Sequence, residues 1–126
     1  MRPKTLAQVA QWTREGASFD LCLAEFLDEF QIAPDAAAIE EAPELLASEC
    51  GDLGQVQDAY LAATAEELAR GRKLPVPAWI HDDRRKLHRP WFASSLASLR
   101  AVLLVESPAA FRSRNLFVSA NALSRV

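Results

Sequence analysis

Apolar residues recur in the first part of the chain at the spacing of an amphipathic helix. Between Ser18 and Pro34 they occupy positions 19, 23, 26, 27 and 30, and acidic residues lie largely between them. Residues three and four apart share one face of a helix, so the segment predicts a helix with a phenylalanine-rich face. Burial of each such side chain is worth about 1.5–3 kcal/mol, which favours a core role for this face over a docking role.

The same spacing predicts further helices, separated by proline and glycine. Glycine commonly follows the last turn of a helix, and glycines stand at positions 16, 51 and 71. Pro43 suits the first turn of a helix. The predicted helices of the first half, besides the one that Ser18 caps, cover residues 5–14, 36–41, 44–49 and 52–70.

Helical spacing returns in the second half after a proline-rich interruption. Pro75 and Pro77 favour a stiff extended connector over residues 74–79. The helix predicted next carries Leu96, Leu99 and Leu103 on one face, although residues 101–105 alone fit either a helix or a strand. Asn115 suits a left-handed position, and Phe117-Val118 is expected to be extended. Four candidate N-caps precede helical turns in this half: Asp82, Ser94, Ser107 and Ser119.

Composition agrees with a helical fold of ordinary globular type. Half of the 126 residues are apolar, 25% are charged and only 4 are glycine. We therefore expect one all-α domain over 1–126, a compact bundle of about five to seven helices with one short extended connector. Cys22 and Cys50 stand among apolar residues and are expected to be buried thiols. No signal-peptide pattern is recognised, and a cytoplasmic location is expected.

Charge is distributed unevenly along the chain. Residues 1–68 hold 3 Lys and Arg against 14 Asp and Glu, a net −11, whereas residues 69–126 hold 11 against 3, a net +8. Two interpretations fit this pattern. The two halves pack side by side and neutralise each other, or the basic half presents its surface to an acidic protein or nucleic acid.

The chain carries no motif that predicts catalysis. It has no glycine-rich phosphate loop, nucleophile elbow or zinc-ligand pattern. His81 and His88 flank two aspartates, but the neighbouring Arg84, Arg85 and Lys86 would repel a metal cation. We therefore expect a protein that is not an enzyme and that uses no cofactor.

Arginines and large aromatic residues alternate in the basic half. Arginine beside an exposed aromatic residue suits phosphate contact and base stacking, and it equally suits the centre of a protein interface. A third interpretation is structural: the aromatic rings lie in the core and the arginines extend from it to solvent. The candidate macromolecule-binding residues are Arg84, Arg85, Arg89, Trp91, Arg112 and Arg114.

Several segments from residue 58 onward resemble a small bacterial family of unnamed function. They are the run 58–69, Leu-Pro-Val-Pro-Ala-Trp at 74–79, Arg-Pro-Trp-Phe at 89–92, residues 99–101 and the stretch 106–118. Similar segments form the C-terminal part of some helix-turn-helix regulators, and members of the family are often encoded beside nucleotidyltransferase-like proteins. The resemblance implies a two-gene module of toxin–antitoxin type, with this chain on the antitoxin side.

Taken with the charge pattern, the resemblance favours a non-catalytic protein-interaction module. Its expected partner is a protein, such as a nucleotidyltransferase-like neighbour, whose basic cleft the acidic half would complement. A transcriptional regulator or nucleic-acid-binding domain that uses the basic half is the alternative. Residues 18–50 are too acidic for a recognition helix, which disfavours DNA binding. A homo-oligomer is also compatible with the sequence, and no membrane contact is expected.

Overall fold

The fold is built almost entirely of helices, as the computed structural model shows for residues 2–94 and 97–124. Six α-helices and two short 3-10 helices are present in these ranges, and 60% of the described residues are helical. The 3-10 helices cover Ala78–His81 and Asp83–Arg85. The α-helices are α1 (Leu6–Arg14), α2 (Phe19–Ile32), α3 (Ala37–Glu40), α4 (Ala47–Gly71), α5 (Ala97–Glu106) and α6 (Ala109–Arg112).

The first helices begin where side chains cap them. The Thr5 hydroxyl accepts a hydrogen bond from the backbone N–H of Gln8, and the Ser18 hydroxyl accepts one from Leu21. The phenylalanine-rich face of α2 is buried, as predicted. Pro34 follows its end, and Asp35 Oδ1 accepts from the N–H of Ala37 at the start of α3.

Helix α4 differs from its prediction at the N-terminal end. Residues 43–46 are not helical, and the predicted helix over 44–49 is reduced to one turn that begins at Ala47. This turn meets the main part of α4 at Gly51, whose backbone (φ 59°, ψ −132°) is accessible to glycine and strained for other residues. The buried Asp58 carboxylate explains the later start, since it accepts from the N–H groups of Leu46 (2.7 Å) and Ala47 (3.1 Å).

The C-terminus of α4 is set by a backbone feature that the sequence did not reveal. Gly71 is its last helical residue, but the left-handed position belongs to Lys73 (φ 56°). The N–H of Leu74 then closes the turn on the Ala69 carbonyl at 2.8 Å. The connector that follows, residues 74–77, is neither helix nor strand, and Pro77 at its end is extended (φ −66°, ψ 145°).

In the second half, residues 101–105 are helical and belong to α5. Asp82 caps the second 3-10 helix, and Asn115 is left-handed, both as predicted. Leu96 lies outside the described residues. Ser107 does not cap α6, because its hydroxyl accepts from Val118 N–H (2.8 Å) and donates to the Leu103 carbonyl. Residues 120–123 form turns rather than the predicted helix after Ser119.

A two-stranded parallel sheet joins two segments of the basic half. Strand β1 (Trp91–Phe92) pairs with β2 (Leu116–Phe117), with Trp91 opposite Leu116 and Phe92 opposite Phe117. The rings of Phe92 and Phe117 stack at a centroid distance of 5.0 Å. This small sheet is the only β structure in the described part of the chain.

Two buried clusters meet on α4. The larger joins α1, α2, α3 and α4 with Ile80, and the smaller joins α4 with α6 and the segment 116–118. Tyr60 packs against both, and its ring lies edge-on to Phe19 (6.3 Å) and Phe111 (4.9 Å). Cys22 is buried as expected, but Cys50, on the first turn of α4, is exposed. Within the described ranges, none of the helices is long and apolar enough to cross a membrane.

Candidate interaction surface

Arg85 was a candidate binding residue, and the structure places it inside the molecule with 3% of its surface exposed. Its guanidinium donates to the backbone carbonyls of Pro43 and Asp58 and lies 4.8 Å from the centre of the Trp79 ring. Burial lowers the pKa of Arg85, although Asp58 opposes this shift. The side chain therefore ties the start of α4 to the 3-10 helices.

Asp58 is the acidic group beside this arginine. Burial raises its pKa, and the hydrogen bonds from Leu46 and Ala47 together with the charge of Arg85 work in the opposite direction. The carboxylate thus accepts hydrogen bonds from the backbone, and the positive charge of the buried Arg85 compensates its negative charge. This arrangement performs a structural task.

Arg114 is also buried, at 6% exposure. It donates to Glu66 Oε1 (2.8 Å) and to the carbonyls of Ala110 (2.7 Å) and Ile80 (3.1 Å). Burial alone would raise the pKa of Glu66, but the hydrogen bonds from Arg114 and Arg70 outweigh it and lower the pKa. Arg114 therefore joins the acidic and basic halves through the core.

The other three candidate arginines are exposed. Arg84 forms two hydrogen bonds with the Asp82 carboxylate (3.0 and 2.6 Å), whereas Arg89 and Arg112 extend to solvent. Two backbone contacts of Leu87 bring residues 84–89 beside 112–115: its N–H donates to Arg114 (3.2 Å), and Asn115 Nδ2 donates to its carbonyl (2.7 Å). The fold thus leaves a small basic surface formed by Arg84, Lys86, Arg89 and Arg112.

Trp91 is half-buried. Its backbone N–H donates to the Asn115 carbonyl (2.8 Å), and its side chain packs against the smaller core cluster. The same side chain lines a groove between α2, α4 and the chain at 118–122. Trp91 thus combines a core contact with an accessible edge.

Helix α5 exposes an apolar surface that contains none of the candidate binding residues. In its described part only Leu103 is buried, whereas Val105 is 80% exposed. At 100° per residue, Ala101, Val102, Leu104 and Val105 span about 160° of the outward side. Arg100, held 5.1 Å from the Phe92 ring, and Glu106, which accepts from Ala120 N–H (3.2 Å), border this face.

The signal for this face was present in the sequence. Residues 101–105 are all apolar, and a helix that is apolar on every side needs a partner surface on every side. Leucine spacing indicated only the buried side of the helix. We refer to Val102, Leu104 and Val105, with Leu99 at the edge, as the α5 face.

The described residues contain no group of three or more His, Cys, Asp or Glu side chains placed to hold a metal ion. Compared with known proteins, the chain matches no family model, no curated protein and no solved structure.

Proposed function

We propose that this chain is a non-catalytic protein-interaction module that acts in the cytoplasm and binds its partner through the α5 face. The observation that carries the proposal is the exposure of Leu99, Val102, Leu104 and Val105 on a single ten-residue helix. Contiguous exposed apolar residues with polar borders are typical of surfaces that another protein covers.

The chemistry around the α5 face defines the partner. Residues 118–122 link this face to the neighbouring α2. On one side, Ser107 bonds to Val118 and Glu106 bonds to Ala120. On the other side, Val118 and Ser119 line the groove beside α2. The accessible part of α2 carries acidic residues, including Asp20. A partner with an apolar site for α5 and basic residues around it fits this combination.

The resemblance to a family found in two-gene modules suggests where such a partner is encoded. We propose that it is the product of the adjacent gene, a nucleotidyltransferase-like protein that this chain restrains as an antitoxin does. A basic nucleotide-binding cleft would supply the charge that the acidic half complements.

The test measures binding of the purified neighbouring protein to three forms of the chain. Replacement of Val102, Leu104 and Val105 by glutamine removes the apolar face without introducing charge, and it should weaken binding about 30-fold or more. The control replaces Leu21 and Ile32 by glutamine, because both are exposed apolar residues of α2. The control should bind as wild type does.

Two results would contradict the proposal. One is wild-type affinity of the α5 variant, and the other is an equal loss of affinity in the α2 control. Circular dichroism of each variant establishes that the fold is retained, which is expected because every substituted side chain is solvent-accessible.

The alternative is nucleic-acid binding through Arg84, Lys86, Arg89 and Arg112. It is favoured because the segments 84–89 and 112–115 lie beside each other. Four phosphate contacts predict a loss of affinity of about 100-fold between 50 and 200 mM salt. Asp82 and Asp83 reduce the positive charge of this surface. Salt-sensitive binding of DNA or RNA that Arg84→Ala with Arg89→Ala removes, while the α5 variant retains it, would favour this alternative.

A further inference from the structure

Helix α5 is attached to the body of the protein by few buried contacts. Among its described side chains Leu103 alone is buried, whereas α2 buries six side chains in the larger core cluster. Leu103 belongs to neither core cluster. The helix packs on β2, where the stacked rings of Phe92 and Phe117 also lie outside both clusters. Helix α5 therefore covers a small apolar layer that is separate from the core.

The two ends of α5 are held unequally. At the C-terminal end Ser107 is buried, and its hydroxyl accepts from the N–H of Val118 (2.8 Å), a member of the smaller core cluster. Nearer the N-terminal end, the guanidinium of the exposed Arg100 lies 5.1 Å from the centre of the Phe92 ring. A cation–π contact at an exposed site is weak. The C-terminal end is therefore fixed to the core, and the rest of the helix is free to pivot about it.

The sequence of α5 gives the helix little stability of its own. Its 10 residues are fewer than the about 12–15 at which an isolated helix becomes even marginally stable in water. Val102 and Val105 are β-branched, and such side chains lose conformational freedom in a helix. The helix therefore depends on its docking through Leu103.

We propose that α5 opens locally in the free chain, pivoting at Ser107, while both core clusters stay folded. Segments with few buried apolar contacts open at a free energy well below that of global unfolding. The opening exposes Leu103 together with the rings of Phe92 and Phe117. A partner that binds the docked α5 face excludes the open form, so binding closes the opening. This last step rests on the proposed function, whereas the opening itself is a property of the free chain.

Hydrogen exchange of the free chain, measured for single amides by NMR, tests the opening. Residues 101–106 supply helical amides of α5, and residues 59–65 supply those in the middle of α4. We expect amides 101–106 to exchange at least about 100-fold faster than amides 59–65. Low concentrations of urea should leave the rate at 101–106 unchanged, because a local opening exposes little surface. The same urea should accelerate exchange at 59–65, where exchange requires global unfolding.

Two leucines that are buried to a similar extent provide matched variants. Leu103 is 8% exposed, and Leu23 of α2 is 7% exposed. Leu23→Ala weakens the larger core cluster, so it should raise exchange at 59–65 about 30-fold or more and leave exchange at 101–106 at the wild-type rate. Leu103→Ala removes the buried contact of α5 and should raise exchange at 101–106 about 10-fold.

Exchange at 101–106 that is as slow as at 59–65, with the same dependence on urea, would overturn the proposal, because α5 would then unfold only with the core. An equal rise at both segments in Leu23→Ala would overturn it as well, and so would unchanged exchange at 101–106 in Leu103→Ala. None of these outcomes involves the partner. The proposed function fails separately, if the glutamine variant of the α5 face binds the neighbouring protein as wild type does.

Discussion

Adjacent residues in the basic segment have opposite surroundings. Arg84 is exposed and bonded to Asp82, whereas the next residue, Arg85, is buried against Pro43, Asp58 and Trp79. A cluster of cations in a sequence therefore mixes residues that meet solvent with residues that hold the fold. The pair offers a direct comparison, since both substitutions remove one arginine from the same 3-10 helix.

We predict that Arg85→Met lowers the free energy of unfolding by about 3 kcal/mol. The substitution leaves the buried Asp58 carboxylate without its cation and the Pro43 carbonyl without a donor. Arg84→Met should leave the unfolding curve unchanged. Urea denaturation followed by circular dichroism measures both, and equal stability of the two variants would show that Arg85 has no structural role.

The contribution of Glu66 to the stability of the fold is expected to depend on pH. Its pKa in the folded chain is below the ordinary value of 4.5, so the carboxylate contributes stability that is present above that value and lost as pH falls through the lower, folded pKa. Glu66→Gln should therefore cost about 1–3 kcal/mol at pH 7, and wild type and variant should converge in acid.

Arg70→Ala is the control for Glu66, because Arg70 is the exposed partner of the same carboxylate whereas Arg114 is the buried one. Its effect at pH 7 should be smaller than that of Glu66→Gln. A cost of Glu66→Gln that is the same at pH 7 and below pH 4 would contradict the linkage.

At the scale of elements, α4 organises the molecule. It contacts both 3-10 helices, α6 and β2, and it supplies residues to both core clusters. Its close contact with the preceding loop depends on Gly54, where a Cβ atom would lie 2.4 Å from the Leu46 carbonyl oxygen. The backbone of Leu46 and Ala47 therefore has two roles. Its N–H groups donate to the Asp58 carboxylate, and its atoms leave no room for a side chain at Gly54.

We predict opposite effects for two glycine-to-alanine substitutions in α4. Gly54→Ala should destabilise the fold by about 1–3 kcal/mol, because the methyl group collides with backbone atoms that Asp58 holds in place. Gly71→Ala meets no atom within 4 Å and should stabilise the helix by about 0.5–1 kcal/mol. Thermal unfolding compares them, and a neutral Gly54→Ala would rule out the close contact.

The elements that sequence predicted best are those encoded by local rules. The caps at Ser18, Asp35 and Asp82 and the left-handed Asn115 depend on residues close in sequence. The predictions for Pro43 and Ser107 were wrong because distant groups decide these positions, whereas the hydroxyl of Ser119 bonds locally to Asn121 and caps a turn instead of a helix. Ser107 bonds across to Val118, and the carboxylate of Asp58 fixes the start of α4 eleven residues before it.

The candidate site shows the same division. The sequence identified Arg85 and Arg114 by charge, but their burial depends on carbonyls 34 to 42 residues away. It did not identify the α5 face, because leucine spacing indicates which side of a helix is buried and says nothing of what covers the opposite side. The prediction of a mostly helical fold is confirmed.

For the whole molecule, the two oppositely charged halves pack against each other along α4. The buried ion pair between Glu66 and Arg114 and the position of Arg85 near Asp58 join them. These contacts account for part of the charge asymmetry within the fold. The exposed acidic residues of the first half remain available to a basic partner.

Hydrogen–deuterium exchange on the complex shows whether the α5 face binds the partner protein. We expect amides of residues 100–106 to exchange more slowly in the complex with the neighbouring gene's product than in the free chain. We expect no comparable change in residues 84–89. Slower exchange in 84–89 with unchanged exchange in 100–106 would contradict it and assign the interface to the basic surface.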